Sequence, residues 1–211
     1  MSDILSIYFF VILKNILYNF VMKKFLIILI TMLLSSAVYA EEELSKQATA
    51  FYSDNNYNKT LDLLLQINEN ERTAQDWLLL GNLYNEKSEK ENAIYMYQKS
   101  ILTDKKFYKA YYNLANVYFE QRKYDLAIKN YKKASGYNKK NPYIFYNLGC
   151  IYIKQNDFQK AKKYNLTALT IKNDIPEFQY NMAYIYKNLD KPKLAQIYLD
   201  NYNKLTESSE P

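Results

Sequence analysis

The chain has 211 residues, 28 basic and 22 acidic side chains, and a formal net charge of +6. It contains no histidine and one cysteine, Cys150, which excludes Ser-His and Cys-His nucleophiles, the usual zinc and copper sites, and an intramolecular disulfide. Three glycines and four prolines argue against a turn-rich β protein and favour long helices.

The N-terminal segment has the pattern of an export signal. From Met22 the sequence reads MKKFLIILITMLLSSAVYA, with two lysines, a short apolar core and small residues, followed by EEE. Val38 and Ala40 suit the −3 and −1 positions of a cut after Ala40. We predict that residues 1–40 are a signal peptide region and that the mature chain is exported to the periplasm or cell envelope. The alternative is an uncleaved helix that anchors the chain in the inner membrane.

Residues 1–21 form a second apolar stretch, which Lys14, Asn15 and Asn19 interrupt. We expect that translation begins at Met22 and that this stretch is a mis-called start. Alternatively, it is a long n-region that is removed with the rest of the signal. Neither interpretation leaves a stable membrane span in the mature chain.

A 34-residue pattern recurs four times, at 77–100, 111–134, 145–168 and 179–202. Each copy has an apolar residue, a small residue and a tyrosine in its first half, and an alanine in its second half. These are Leu80, Gly81, Tyr84 and Ala93, then Leu114, Ala115, Tyr118 and Ala127, then Leu148, Gly149, Tyr152 and Ala161, then Met182, Ala183, Tyr186 and Ala195. Apolar spacings of three and four residues predict two amphipathic helices in each copy.

The turns between paired helices are predicted near Ser88, Arg122, Asn156 and Asp190. Asn and Asp tolerate the left-handed backbone that such turns need. Proline favours the first turn of a helix, and Pro142, Pro176 and Pro192 stand at three predicted helix starts.

This pattern resembles the tetratricopeptide repeat, W-x2-L-G-x2-Y followed by A-x3-F. The unit 74–107 matches best, through Trp77, Leu80, Gly81, Tyr84, Ala93 and Tyr97. Lys105 replaces the closing proline of that unit, and Asn165 and Leu199 replace the second-helix aromatic in later units. A degenerate copy, which includes Ala48, Phe51, Thr60, Leu64 and Ile67, precedes them.

The resemblance implies an all-α fold, an α-solenoid of antiparallel helix pairs. We expect about five units, at 41–73, 74–107, 108–141, 142–175 and 176–207, followed by a disordered tail at 208–211. Where earlier units have the small residues Ser100, Ala134 and Ala168, the last unit has Tyr202. A bulky residue fits there only if no further unit docks, so the array should end at this helix.

The resemblance also implies a concave groove, lined by the first helices, that binds an extended peptide or a partner helix. The candidate groove residues are Asn113, Asn147, Asn181, Tyr112, Tyr146, Tyr180, Asn82, Asn116 and Tyr184. The first three recur at 34-residue spacing, and their amides could hold a peptide backbone. Because Leu79 stands at the matching position of the preceding unit, peptide binding by these asparagines should involve only the three C-terminal units. The alternative is that these asparagines support the neighbouring repeat.

Lys109 is nearly the only cation among the groove positions, so we predict a neutral, aromatic groove without specificity for a C-terminal carboxylate. Cys150 occupies the repeat position that Asn82 and Asn116 hold in the two preceding units. It is either a small apolar filler or, in an oxidising compartment, a thiol that joins a partner.

The final helix is unusually apolar for a terminal unit, which predicts docking through Leu194, Tyr198, Tyr202 and Leu205. The leading functional hypothesis is therefore a non-enzymatic protein-binding module of the envelope, an adaptor or assembly factor, without metal or cofactor. The alternative is a structural scaffold that self-associates through this helix. Export and a mild charge argue against nucleic acid as the partner.

Overall fold

The computed structural model describes residues 2–207, and the predicted tail at 208–211 lies outside this range. The described residues form ten α-helices and one short 3-10 helix, without a β-strand. Helices adjacent in sequence pack in pairs. The predicted all-α solenoid is therefore confirmed. Contacts divide the chain into two compact units, residues 1–72 and 73–211.

The first unit begins with α1, Ser2–Ser53, which packs on α2, Tyr57–Gln66, before a 3-10 turn at Glu69–Glu71. The single helix α1 spans both the predicted signal and the first helix of the first predicted repeat. By length and composition, α1 contains a stretch that could cross a membrane, a property that a signal sequence shares. Helix α2 buries Leu63 and Leu64 and is capped by Asn56, whose side chain accepts a hydrogen bond from the Lys59 backbone.

The second unit consists of four helix pairs. Its helices are α3 (Ala74–Glu86), α4 (Lys90–Thr103), α5 (Tyr108–Glu120), α6 (Tyr124–Tyr137), α7 (Pro142–Lys154), α8 (Phe158–Ile171), α9 (Pro176–Asn188) and α10 (Pro192–Glu207). Each helix packs on the next in sequence, and α3 also contacts α5, as α7 contacts α9. The odd-numbered helices therefore line the inner side of the stack, where a repeat array presents its concave surface.

The turn inside each helix pair uses the same backbone conformation. Ser88, Arg122, Asn156 and Asp190 have φ angles between 55° and 60°. A left-handed residue ends the first helix and reverses the chain within a few residues. The predicted turn positions are confirmed.

Small residues allow the paired helices to approach closely. Ala93, Ala127 and Ala161 are completely buried at the matching position of three successive pairs. Tyr97 and Tyr131 fill the space beside them and are also buried. The recurring alanine and aromatic positions of the sequence thus form the seam of each pair.

Helix α10 contains no buried residue. Two of its tyrosines nevertheless pack within the chain, because the ring of Tyr198 stacks on Tyr186 and that of Tyr202 lies beside Tyr180, each at 5.4 Å between centroids. The apolar surface left open is smaller than the sequence indicated. It contains Leu194, which is 37% exposed, and Ile197, which is 54% exposed.

Candidate peptide-binding groove

The predicted groove residues all lie on the odd-numbered helices of the second unit. Asn82 is on α3, Tyr112, Asn113 and Asn116 are on α5, Tyr146 and Asn147 are on α7, and Tyr180, Asn181 and Tyr184 are on α9. Every one of them is at least partly exposed. The fold therefore places these residues on one face of the second unit, with matching positions one repeat apart.

The first pair of asparagines joins α5 to α3. The side-chain amide of Asn113 donates a hydrogen bond to Asn82 Oδ1 at 2.7 Å. The hydroxyl of Tyr97, on α4, donates to the same oxygen at 2.9 Å. Because Asn82 Oδ1 accepts two hydrogen bonds, the orientation of both amides is fixed.

The second pair repeats this arrangement one unit further on. The Asn147 amide donates to Asn116 Oδ1 at 3.2 Å, and the Tyr131 hydroxyl donates to the same oxygen at 2.5 Å. Asn147 Nδ2 also lies 3.3 Å from the Tyr112 hydroxyl. Burial raises the pKa of Tyr131 and of Tyr112 above the ordinary tyrosine value, so both hydroxyls stay protonated.

The third pair is different in chemistry. Cys150 replaces the acceptor asparagine, and the Asn181 amide donates to its sulfur at 3.2 Å. Burial raises the pKa of the Cys150 thiol, although hydrogen bonds from Asn181 and Tyr146 oppose this. Cys150 is thus a partly buried, protonated thiol, consistent with the predicted filler role.

Asn165 takes the place of the seam tyrosine beside this third pair. Its amide donates to the carbonyl of Phe178 at 2.9 Å instead of reaching Cys150. Phe178 is completely buried and stacks on Tyr146, with 4.8 Å between ring centroids. Where earlier units combine a tyrosine with Ala110 or Ile144, this unit combines a short asparagine with a large Phe178.

The two sequence interpretations of the asparagines are compatible. One N–H of Asn113 and one N–H of Asn147 support the preceding repeat, as the alternative interpretation states. The structure pairs neither Oδ1 atom with a donor from the described residues. Among the residues that the structure describes, Asn82 Nδ2 has no acceptor, and the Asn116 amide hydrogen-bonds the Tyr112 hydroxyl, which uses one of its two N–H groups. Two donor–acceptor pairs therefore remain on the groove face, in the same relative position one repeat apart.

Sequence reasoning missed Tyr97 and Tyr131 as parts of this network. Their 34-residue recurrence was visible, but it indicated only a buried seam. The hydroxyl at the end of each ring reaches the asparagine of its own unit, and that contact depends on the helix crossing within the pair. One sequence feature does indicate the contact. In the unit 142–175 both residues change together, since Cys150 replaces the asparagine and Asn165 replaces the tyrosine.

The described residues contain no group of three His, Cys, Asp or Glu side chains that could hold a metal ion. The groove residues are amides, phenols and one protonated thiol. Such groups can donate and accept hydrogen bonds and offer ring faces, which is the chemistry of recognition.

Family comparisons agree with this arrangement of helix pairs. A TPR repeat model matches residues 115–156, and two tetratricopeptide repeat models match residues 96–129 and residues 142–175 and 176–208. Together they span more than half of the chain. The chain belongs to the tetratricopeptide repeat proteins, a family of protein-protein interaction modules.

Several solved MamA structures have the same fold. MamA AMB-1 is 20% identical over 82% of this chain and 93% of its own, with a TM-score of 0.67. MamA MSR-1 is 22% identical over 82% and 98%, with a TM-score of 0.66. MamA RS-1 is 13% identical over 81% and 97%, with a TM-score of 0.71. No curated protein matches the sequence significantly. At such identities the likeness describes the fold.

Proposed function

We propose that this chain is a non-enzymatic adaptor or assembly factor of the cell envelope, which binds an extended segment or helix of a partner protein in its inner groove. The observation that carries the proposal is the pair of asparagine couples, Asn82 with Asn113 and Asn116 with Asn147. Each couple is held in one orientation by internal hydrogen bonds and still offers groups to a ligand.

The free groups match a peptide backbone. In each couple, one asparagine offers a carbonyl oxygen and the other offers amide hydrogens, which complement the N–H and C=O of an extended chain. Tyr112, Tyr146 and Tyr180 add ring surface beside the couples. Because the asparagines are already ordered, a ligand does not bear the entropic cost of fixing them.

The test is peptide binding with and without the couples. Peptides selected from a displayed random library on the mature chain 41–211 would be titrated against the Asn113→Ala, Asn147→Ala double variant. We expect roughly a five- to 150-fold loss of affinity, since two hydrogen bonds are lost and each is worth roughly 0.5–1.5 kcal/mol.

The matched control changes the same residue type on the outer helices. Asn92 lies on α4 and donates to Glu89, the residue just before that helix. Asn130 lies on α6 and donates to the Leu126 carbonyl of the same helix. The Asn92→Ala, Asn130→Ala variant should retain full affinity. Equal binding by both variants would contradict the groove, and both must melt cooperatively with unchanged helical content.

The proposed location in the cell envelope rests on the signal peptide that the sequence predicts before Glu41. Mass spectrometry of the chain recovered from the cell envelope should give an N-terminus at Glu41. A chain that retains residues 22–40 and separates with the inner membrane would instead support the anchored alternative.

A second candidate function is a self-associating scaffold, which the exposed Leu194 and Ile197 on α10 favour. Sedimentation at high concentration should then show oligomers that dissociate in the Ile197→Lys variant. The control is Leu102→Lys, because Leu102 is 71% exposed on the outer helix α4. Monomers throughout the concentration range would contradict the scaffold.

A further inference from the structure

A cleft of about 420 Å³ lies at the C-terminal end of the inner groove, and we call it the end cleft. Three tyrosines line it, Tyr146 from α7, Tyr180 from α9 and Tyr202 from α10. The same cleft contains the carboxylate side chain of Glu177 and the amide of Asn181. Aromatic faces and a carboxylate therefore meet in one place on the groove.

The rings of the end cleft are held in place by contacts within the chain. Tyr180 and Tyr202 lie 5.4 Å apart at an interplanar angle of 56°. Tyr146 stacks on the buried ring of Phe178, with 4.8 Å between centroids. A binding group would thus meet ring surfaces that are already ordered.

Glu177 brings a negative charge to these rings. It is the second residue of α9, directly after Pro176, so its side chain lies near the positive end of the helix dipole. Within residues 73–207 the structure pairs Glu177 with no lysine or arginine. Burial is the main cause that raises the pKa of Tyr146, and the negative charge of Glu177 contributes in the same direction.

The end cleft also differs from the two asparagine couples in polarity. Each couple offers a donor and an acceptor to a ligand. In the end cleft, Cys150 replaces the asparagine whose amide would be the donor, and one N–H of Asn181 is donated to the Cys150 sulfur. Asn181 Oδ1 and the Glu177 carboxylate are acceptors. A ligand group that fits must therefore be rich in donors and positively charged.

We propose that the end cleft binds the guanidinium group of an arginine side chain in the partner segment. This deepens the proposed function, on which it rests, by adding a side-chain specificity at one end of the groove. A guanidinium has five N–H donors and no acceptor, stacks flat on aromatic rings, and forms paired hydrogen bonds with a carboxylate. An ammonium ion is compact and strongly hydrated and would use the ring faces less well.

The experiment titrates single-residue probes into the chain purified from the cell envelope and labelled with ¹³C-tyrosine. N-acetyl-arginine methylamide should shift the ring resonances of Tyr146, Tyr180 and Tyr202, which Tyr→Phe variants assign, with millimolar saturation. N-acetyl-citrulline methylamide, which has the same shape without the charge, should produce no saturable shift. Equal binding of the two probes, or tighter binding of choline, would overturn the proposal.

Variants separate the end cleft from general charge attraction. Glu177→Gln should weaken arginine binding about fivefold, as expected for the loss of one partly exposed charge contact. Glu86→Gln makes the same change at an exposed position on α3 and should leave the affinity unchanged. Equal effects of the two variants would overturn the site. Probe binding is measured without any peptide, so it can fail while the asparagine couples still bind peptide, or the reverse.

Discussion

Gly81 faces the ring of Tyr97 inside the first helix pair of the second unit. A Cβ added to Gly81 would lie 2.5 Å from Cε1 and 2.6 Å from Cδ1 of that ring. Tyr97 is buried and its hydroxyl donates to Asn82, so the ring cannot move aside freely. A Cβ added to Gly149 would instead make an ordinary van der Waals contact, since its nearest neighbour, Asn165 Oδ1, would lie 3.4 Å away.

We therefore expect Gly81→Ala to lower the free energy of unfolding by roughly 1–3 kcal/mol, the usual cost of overpacking. Gly149→Ala should be neutral or raise it by up to about 1 kcal/mol, because alanine favours the helix. Urea denaturation followed by circular dichroism measures both. If Gly81→Ala were as stable as Gly149→Ala, the close approach of Tyr97 to the helix backbone would be contradicted.

The buried hydroxyl of Tyr131 should make the stability of the fold depend on pH. Burial raises its pKa above the unfolded value of about 10, because the folded state disfavours the charged phenolate. The stability that this neutral group contributes is complete below pH 10 and is lost as pH rises from there towards the folded-state pKa. The free energy of unfolding should thus decrease above pH 10 by at most about 1.4 kcal/mol per pH unit for this residue.

In the Tyr131→Phe variant this decrease should be smaller than in the parent. The variant should also be roughly 1–2 kcal/mol less stable at neutral pH, since Asn116 and Asn147 lose a partner. Denaturation at several pH values between 8 and 11 provides the comparison. An identical alkaline decrease in both chains would show that Tyr131 is not the group responsible.

At the scale of elements, the five turns of the repeat pattern differ in residue but not in backbone. Asn55, Ser88, Arg122, Asn156 and Asp190 all have φ between 55° and 60°. Asparagine and aspartate tolerate this region, whereas Arg122 and Ser88 have no such preference. The last four turns were predictable from the 34-residue period, even at Arg122, where local chemistry gives no signal, whereas the turn at Asn55 was not predicted.

Arg122→Gly should raise the free energy of unfolding by roughly 0.5–1 kcal/mol, because glycine adopts positive φ without a steric penalty. Asn156→Gly should change it by only a few tenths, since asparagine already tolerates the conformation. Thermal melting of the two variants beside the parent distinguishes these values. Equal destabilisation in both would mean that the entropy cost of glycine outweighs any relief of strain.

Helix pairs and their order were predictable because apolar spacing reflects burial directly. The hydrogen bonds of the groove were not. Asn113, Asn147 and Asn181 have the same position in their repeats, yet the third meets a sulfur instead of an amide. Which partner each asparagine finds depends on the residue 31 positions earlier and on the length of the side chain opposite, here Asn165.

At the scale of the whole molecule, a repeat array is stabilised by contacts between neighbours, so its ends are less stable than its middle. In the second unit α10 has a neighbour on one side only and buries no residue completely, whereas α8 lies between α7 and α9 and buries Ala161, Asn165 and Ala168. Local opening should therefore begin at α10.

Amide hydrogen exchange followed by mass spectrometry should show this order. We expect amides of 192–207 to exchange at least tenfold faster, after correction for intrinsic rates, than those of 158–171. A ligand in the end cleft should slow exchange in α10, because Tyr202 would be held in the complex. Uniform protection across the second unit would contradict unit-by-unit stability.

Tyr202 stands at the repeat position that earlier units fill with a small residue. The matching residues Ser100, Ala134 and Ala168 are buried completely, while Tyr202 remains partly exposed beside Tyr180. Adding a repeat by gene fusion would require a small residue at 202, and that change would remove one wall of the end cleft. A single substitution at position 202 would therefore change both the surface on which a further repeat could pack and the proposed arginine site.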